Sequence, residues 1–167
     1  MVRLPRIHSG YYVNYYYLWS IGEADVNCID FVPSHSLHIR GISLHRSGYG
    51  SYQHYYGLVR LKEYSTRTVI TSQSFSFTTD STRSYHDLLF TQPGYVEAGT
   101  KYTITLGYYG TWWRYIQCGS GGVARATAEC NGQTVTMLFS NSSDLKGRSH
   151  NRSDISWGQF PRILFYC

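Results

Sequence analysis

Tyr102-Thr103-Ile104-Thr105-Leu106-Gly107-Tyr108 is the stretch on which the reading of the fold turns. Its large apolar side chains fall at every second residue: Tyr102, Ile104, Leu106 and Tyr108 share one side, Thr103 and Thr105 the other. Successive side chains of a β-strand point to opposite faces, so the pattern predicts a strand with one face in a core. The same period recurs in both directions from here. Val135, Met137 and Phe139 alternate with Thr134, Thr136 and Leu138; Phe75 and Phe77 with Ser74, Ser76 and Thr78; Val59 and Leu61 with Arg60 and Lys62. Between His38 and Leu44 the apolar phase slips at Gly41, from Ile39 to Ile42 and Leu44, which predicts a bulge. Helical spacing is nowhere sustained.

Turn chemistry separates these runs. Pro33-Ser34, Ser47-Gly48-Tyr49-Gly50, Thr79-Asp80-Ser81, Pro93-Gly94, Ala98-Gly99, Asn131-Gly132 and Lys146-Gly147 all read as turns. Many short strands with frequent turns predict an all-β fold, a β-sandwich or jelly roll. No linker and no shift in composition divides the chain, so residues 1–167 are expected to form one domain. Residues 26–167 make its core, and residues 1–25 an irregular, Tyr-rich extension (Tyr11, Tyr12, Tyr15, Tyr16, Tyr17) with room for a strand wrapping the sandwich.

Composition narrows the function. Seventeen Tyr and four Trp outnumber fifteen Lys plus Arg, and such rings, apolar in body with one polar tip, suit half-buried surfaces and binding sites. The formal charge of +5 is spread singly through Arg60, Lys62, Arg67, Arg83, Arg114, Arg125 and Arg162. A nucleic-acid surface needs clustered cations, so no nucleic-acid partner is expected. No apolar run is long enough to span a membrane as a helix, and no membrane insertion is expected. Met1-Val2-Arg3-Leu4-Pro5-Arg6 lacks the apolar region of a signal peptide.

Four cysteines stand at Cys28, Cys118, Cys130 and Cys167. Cys118 and Cys130 flank Gly119-Ser120-Gly121-Gly122, so a hairpin would bring them together, leaving Cys28 and Cys167 to tie the first core strand to the last. Four cysteines allow three connectivities, and also none. The sequons Asn141-Ser142-Ser143 and Asn151-Arg152-Ser153 add a lean toward an extracellular setting.

Catalytic and metal chemistry find no motif. The seven histidines do not converge in sequence: His35 and His38, if both on one strand, face opposite sides, and His8, His45, His54, His86 and His150 stand alone. No nucleophile elbow and no phosphate-cradling glycine loop occurs, and Asp80 and Asp87 read as turn caps. No enzymatic activity, metal or cofactor is expected.

The most informative segment for binding is Tyr108-Tyr109-Gly110-Thr111-Trp112-Trp113-Arg114-Tyr115. Adjacent Trp112 and Trp113 on a strand face opposite sides, so at most one enters the core, and an indole left in water marks a contact surface. Tyr109, Trp112, Trp113, Arg114, Asp154 and Trp157 are therefore the candidate ligand-binding residues. Flat sugar faces stack on such rings while Arg and Asp bind hydroxyls. The plain alternative is that the rings brace long loops or pack a subunit interface.

From about Val26 to Tyr166 the chain resembles the PHR domain, a module of certain ubiquitin-ligase proteins also found at the C-terminus of some BTB-domain adaptors. The pieces that carry the resemblance come in the family's order. Ile29-Asp30-Phe31 opens the first core strand, and Leu37-His38-Ile39-Arg40-Gly41-Ile42-Ser43-Leu44 is similar to the family's Gly-Ile-Gly-Leu strand. Phe77-Thr78-Thr79-Asp80 resembles its Phe-Ser-Cys-Asp-Gly turn. Leu88-Leu89-Phe90-Thr91-Gln92-Pro93, Val96-Glu97-Ala98-Gly99 and Tyr102-Thr103 follow, and Gly158-Gln159-Phe160-Pro161-Arg162-Ile163-Leu164-Phe165-Tyr166 resembles the closing segment. The resemblance implies an antiparallel sandwich with loops clustered at one pole, acting as a non-enzymatic module that docks proteins. The loop before the closing segment departs from the family's pattern, reading Asp144-Leu145-Lys146-Gly147-Arg148-Ser149-His150-Asn151 here.

Two functional readings follow. The first and preferred one is a stand-alone lectin that binds carbohydrate or glycoprotein at the aromatic loop site, oligomeric for avidity, as expected of a chain complete in itself. The second is a PHR-type protein-interaction module that grips a protein partner through the same pole, in a cytoplasmic setting.

Overall fold

A computed structural model describes residues 1–5, 26–45, 54–78, 85–109, 119–120, 122–142, 157–158 and 162–167. The strands are β1 (Val2–Pro5), β2 (Val26–Pro33), β3 (Leu37–His45), β4 (His54–Glu63), β5 (Val69–Thr78), β6 (Tyr85–Val96), β7 (Tyr102–Tyr108), β8 (Gly119–Ser120), β9 (Arg125–Cys130), β10 (Gln133–Asn141), β11 (Trp157–Gly158) and β12 (Arg162–Tyr166). Among the described residues there is no helix. A four-stranded sheet, β1-β12-β3-β6, faces a six-stranded sheet, β5-β4-β7-β2-β10-β9, and β8 with β11 forms a two-stranded ribbon. All pairings are antiparallel. The chain is an antiparallel β-sandwich.

The alternation read from sequence is the alternation of the core. Ile29, Phe31, Ile104, Leu106, Val59 and Leu61 of the six-stranded sheet, all buried, meet Ile39, Ile42, Leu88, Phe90, Ile163 and Phe165 of the other. The predicted bulge lies at Gly41, where the register of β3 against β6 shifts between Ile39 and Gly41. Glycine is required there by close approach, since a Cβ on Gly41 would stand 2.0 Å from the main-chain oxygen of Leu88.

Pro93-Gly94, read as a turn, lies instead inside β6. Between Leu89, opposite Gly41, and Gly94, opposite Ile39, β6 swings away from β3. Its freed carbonyls at Phe90 and Thr91 receive the Arg40 Nη1 group. The same residues cross to β5, where Thr91 donates through N and Oγ1 to Gln73 Oε1 and Thr71 Oγ1 donates to Gln92 O. One side of the sandwich is closed by these bonds.

Of residues 1–25, expected to form an irregular extension with room for a strand, residues 1–5 are described, and Val2–Pro5 is a strand of the four-stranded sheet, antiparallel to β12. Arg3 on β1 ion-pairs with Asp87 on β6 at 3.0 Å, and Asp87 also accepts from Ser43 Oγ at 2.6 Å. Arg3 has Leu164 as its cross-strand neighbour, and Leu164 in turn has Gly41. Leu164 is fully buried although it lies on the outward phase of β12.

A second departure concerns the outward face of β7. Thr103 and Thr105 were placed opposite the core face, yet both are buried. Thr103 donates to Asp30 Oδ1 at 2.7 Å, and Lys101 Nζ pairs with Asp30 Oδ2 at 3.1 Å. Alternation distinguishes the two faces of a strand but does not reveal that a polar face is also covered.

The disulfide differs from the expected pairing. Cys130 is bonded to Cys167, and Cys28 is buried. Cys28 lies in register with Thr105 on the face of β2 away from the sandwich interior, so its Cβ points away from β12. Cys130 adjoins the Asn131-Gly132 turn at the end of β9 and lies beside the residue that follows β12. Cys118 itself lies outside the described residues.

Candidate functional site

The two ends of the sandwich are built differently. At one pole all connections are short and described: 34–36, 64–68, 97–101 and 131–132. Asn131 and Gly132 both have positive φ, 50° and 77°, as a tight hairpin turn requires. These turns also bond to one another. Gly99 N donates to Pro33 O, Tyr64 N to Lys101 O, Ser34 N to Thr136 O and Ala98 N to Ser36 Oγ.

The opposite pole receives every other connection. The registers set the last residues of β1, β3, β5, β7 and β10 beside the first residues of β2, β4, β6, β9 and β12. The described residues that flank segments 6–25, 46–53 and 79–84, and those that precede 110–118 and 143–156, therefore lie at this pole. The turns read at Ser47–Gly50, Thr79–Ser81 and Lys146–Gly147 belong to those segments and lie outside the described residues. The ribbon adds a further tie: Trp157 pairs with Ser120 and Gly158 with Gly119, so segments 110–118 and 143–156 end side by side.

Of the candidate binding residues, Tyr109 is described in full and is half-buried. Its main-chain N donates to Tyr56 O at 2.9 Å, continuing the β4–β7 pairing past the end of β7. Trp157 is placed by its backbone, in the ribbon. Trp112, Trp113, Arg114 and Asp154 lie outside the described residues, as does the second sequon; Asn141 of the first is exposed at the end of β10.

Beneath this pole is an aromatic floor that the sequence reading did not single out. Tyr55, Phe75 and Tyr108 are buried. Tyr108 meets the edges of Tyr55 and Phe75 at centroid distances of 6.0 and 5.7 Å, and Phe77 stacks on His86 at 3.8 Å. The signal was present as the doublets Tyr55-Tyr56 and Tyr108-Tyr109. In each, one ring enters the core, and its neighbour faces out. Tyr56 is 38% exposed, and the register carries Tyr109 to its side. His54 completes an outward patch with Tyr56, their rings 6.0 Å apart.

Among the described residues, His35, His38, His54 and His86 have packing or hydrogen-bonding roles. His54 is held through both ring nitrogens, by Thr78 Oγ1 at 3.1 Å and Ser76 Oγ at 3.0 Å. His35 lies in the turn between β2 and β3 rather than on a strand, and bonds Ser34 Oγ through Nδ1. His38 packs against Tyr95. Among the described residues no group of three His, Cys, Asp or Glu side chains converges as metal ligands would, and no helix is long and apolar enough to cross a membrane. Outside the four-stranded sheet near the same pole, the Arg162 guanidinium lies 3.9 Å from the Tyr85 ring centroid.

A family model of the PHR domain matches residues 11–166, beginning inside the Tyr-rich stretch. No curated protein matches the chain. The match runs over nearly the whole length and is carried by an antiparallel sandwich with two unlike poles. The chain therefore belongs to the PHR domain family, whose members are generally non-catalytic interaction domains.

Proposed function

We propose that the chain is a protein-recognition module whose partner docks at the pole bearing the long connections. Tyr56 and Tyr109 lie on its rim, and segments 110–118 and 143–156 supply Trp112, Trp113, Arg114 and Asp154, followed by Trp157 in the ribbon. The observation that carries this reading is the inequality of the two ends. One is closed by tight turns, while the strand ends that flank the long connections lie at the other, over a packed aromatic floor. Rigid scaffolds present variable loops in this way when recognition is their task. Exposed Tyr and Trp next to Arg are the residue types that anchor protein interfaces.

This reverses the order in which the sequence placed the two readings. The lectin reading and an oligomer built for avidity draw no support from the family, and of the six side chains offered for a sugar only that of Tyr109 is described. Affinity capture tests the proposal. The wild-type chain, a Trp112→Ala/Trp113→Ala variant and a turn-pole control, Glu97→Ala, are compared as baits. Binding of each recovered candidate is then measured with purified proteins. The expected result is a partner held by wild type and control and released by the double variant. A glycan-array hit inhibited by free sugar, with no protein partner that survives purification, would restore the carbohydrate reading.

A further inference from the structure

The six-stranded sheet has two edges, β9 and β5. An edge strand presents N–H and C=O groups that no neighbour satisfies, and soluble proteins guard such edges with charge, proline, bulges or a covering element. β9 is guarded. Arg125 is exposed on it, β1 lies against it, and Cys130 at its end is bonded to Cys167.

β5 is guarded over its first half only. There Thr71 and Gln73 hold Gln92 and Thr91 of β6, Gln73 Nε2 folds back onto Ser74 O, and the β4–β5 register breaks between Leu61 and Lys62. The second half, Ser74-Phe75-Ser76-Phe77-Thr78, has no charge, no proline and no glycine. Its register with β4 is unbroken from Phe75, opposite Gly57, to Thr78, opposite His54. Among the described residues, no main-chain group bonds the main chain of Phe75–Thr78 except those of β4. Ser74, Ser76 and Thr78 are exposed, and Phe77 is half-buried in the seam against His86.

We propose that Ser74–Thr78 takes an extended segment of the protein partner as a seventh strand of this sheet. The inference rests on the docking reading above, because the open half of β5 is the half that reaches the loop-bearing pole. It also borders the outward patch there: Ser76 is in register with Tyr56 and Thr78 with His54. A row of main-chain donors and acceptors selects for another strand, since a helix has already satisfied its own. Side-chain alternation sets the rest of the specificity. On the inner side the added strand meets Phe75 and Phe77, which calls for apolar residues. On the outer side it meets the Ser74, Ser76 and Thr78 hydroxyls, which calls for small polar ones.

The test uses a displayed library of short random peptides selected against the full chain, with amide hydrogen exchange on the complexes. Selected peptides are expected to alternate apolar and small polar residues and to slow exchange within Phe75–Thr78. N-methylation of alternate peptide amides, or a Ser74→Lys/Ser76→Lys variant that keeps the wild-type melting temperature, is expected to weaken binding about tenfold or more, the worth of one or two main-chain hydrogen bonds. A library without binders, binders that tolerate N-methylation, or protection confined to 110–118 and 143–158 overturns the edge proposal. In the last case, loss of binding on Trp112→Ala/Trp113→Ala leaves the docking pole standing without it. A wild-type dimer dissociated by the two lysines also overturns it, because the occupant is then a second copy of this chain.

Discussion

Cys130 and Cys167 stand 5.7 Å apart at Cα and are bonded, joining the end of an edge strand in one sheet to the residue that follows β12 in the other. The link lies at the turn pole, away from the candidate docking surface, so its contribution is to stability. It closes a loop over a sequence separation of 37, for which the chain-entropy model gives about 3–4 kcal/mol. Cys130→Ser, or full reduction, is expected to lower the unfolding free energy obtained from urea titration by that amount while partner binding at low temperature persists. Peptide mapping after thiol blocking is expected to recover the Cys130–Cys167 pair. A map that joins Cys28 to Cys167 contradicts the arrangement.

Much of the fold was legible because the period of a strand is local. The phases of 102–108, 135–139 and 75–77 are those of the core, and the slip at Gly41 is a bulge. Sheet order and cysteine pairing were not legible, because both depend on which strands meet across the sandwich. Cys28 and Cys130 look alike in sequence, but one lies in the middle of the six-stranded sheet with its side chain turned away from the interior, and the other at a corner beside β12. Proline and glycine misled at Pro93-Gly94, where they mark a strand changing neighbours rather than a turn. At the site, the ring doublets indicated an inner and an outer ring, but not that Tyr56 and Tyr109 become neighbours through β4–β7 pairing.

Gly41→Ala is expected to cost about 2–4 kcal/mol, since the added methyl meets main-chain atoms of Leu88 and Leu89 that no rotamer change can move. The strain falls on the β3–β6 pairing. Thermal unfolding checks this. An unchanged midpoint for Gly41→Ala shows that β3 and β6 are not as close as described.

Lys101→Met leaves the fully buried Asp30 carboxylate with only the Thr103 hydroxyl as a described partner. Losing one member of a closed buried pair costs more than this site should, because the Lys101 side chain is 35% exposed and water screens it. The expected loss is about 2–3 kcal/mol, and most of it should return in the Lys101→Met/Asp30→Asn double variant. Chemical denaturation of the single and double variants measures the coupling. Additive losses show that the two groups do not interact.

Tyr108 and Tyr109 offer the sharpest separation of scaffold from site, because neighbours in sequence face opposite ways. Tyr108 is 3% exposed and packs edge-on against Tyr55 and Phe75. Its replacement by Ala opens a cavity in the aromatic floor, with an expected cost of about 3–5 kcal/mol. Tyr109→Ala removes a half-buried ring from the rim while its main-chain bond to Tyr56 stays, so the expected cost is about 1 kcal/mol or less. If the rim binds the partner, Tyr109→Ala weakens binding severalfold in a protein that still melts near wild type, as one interfacial aromatic contact requires. Titration calorimetry with the captured partner, run beside urea unfolding, reads both quantities on the same samples. Undiminished affinity in Tyr109→Ala together with Tyr56→Ala moves the docking surface off this rim, whatever Tyr108→Ala does to stability.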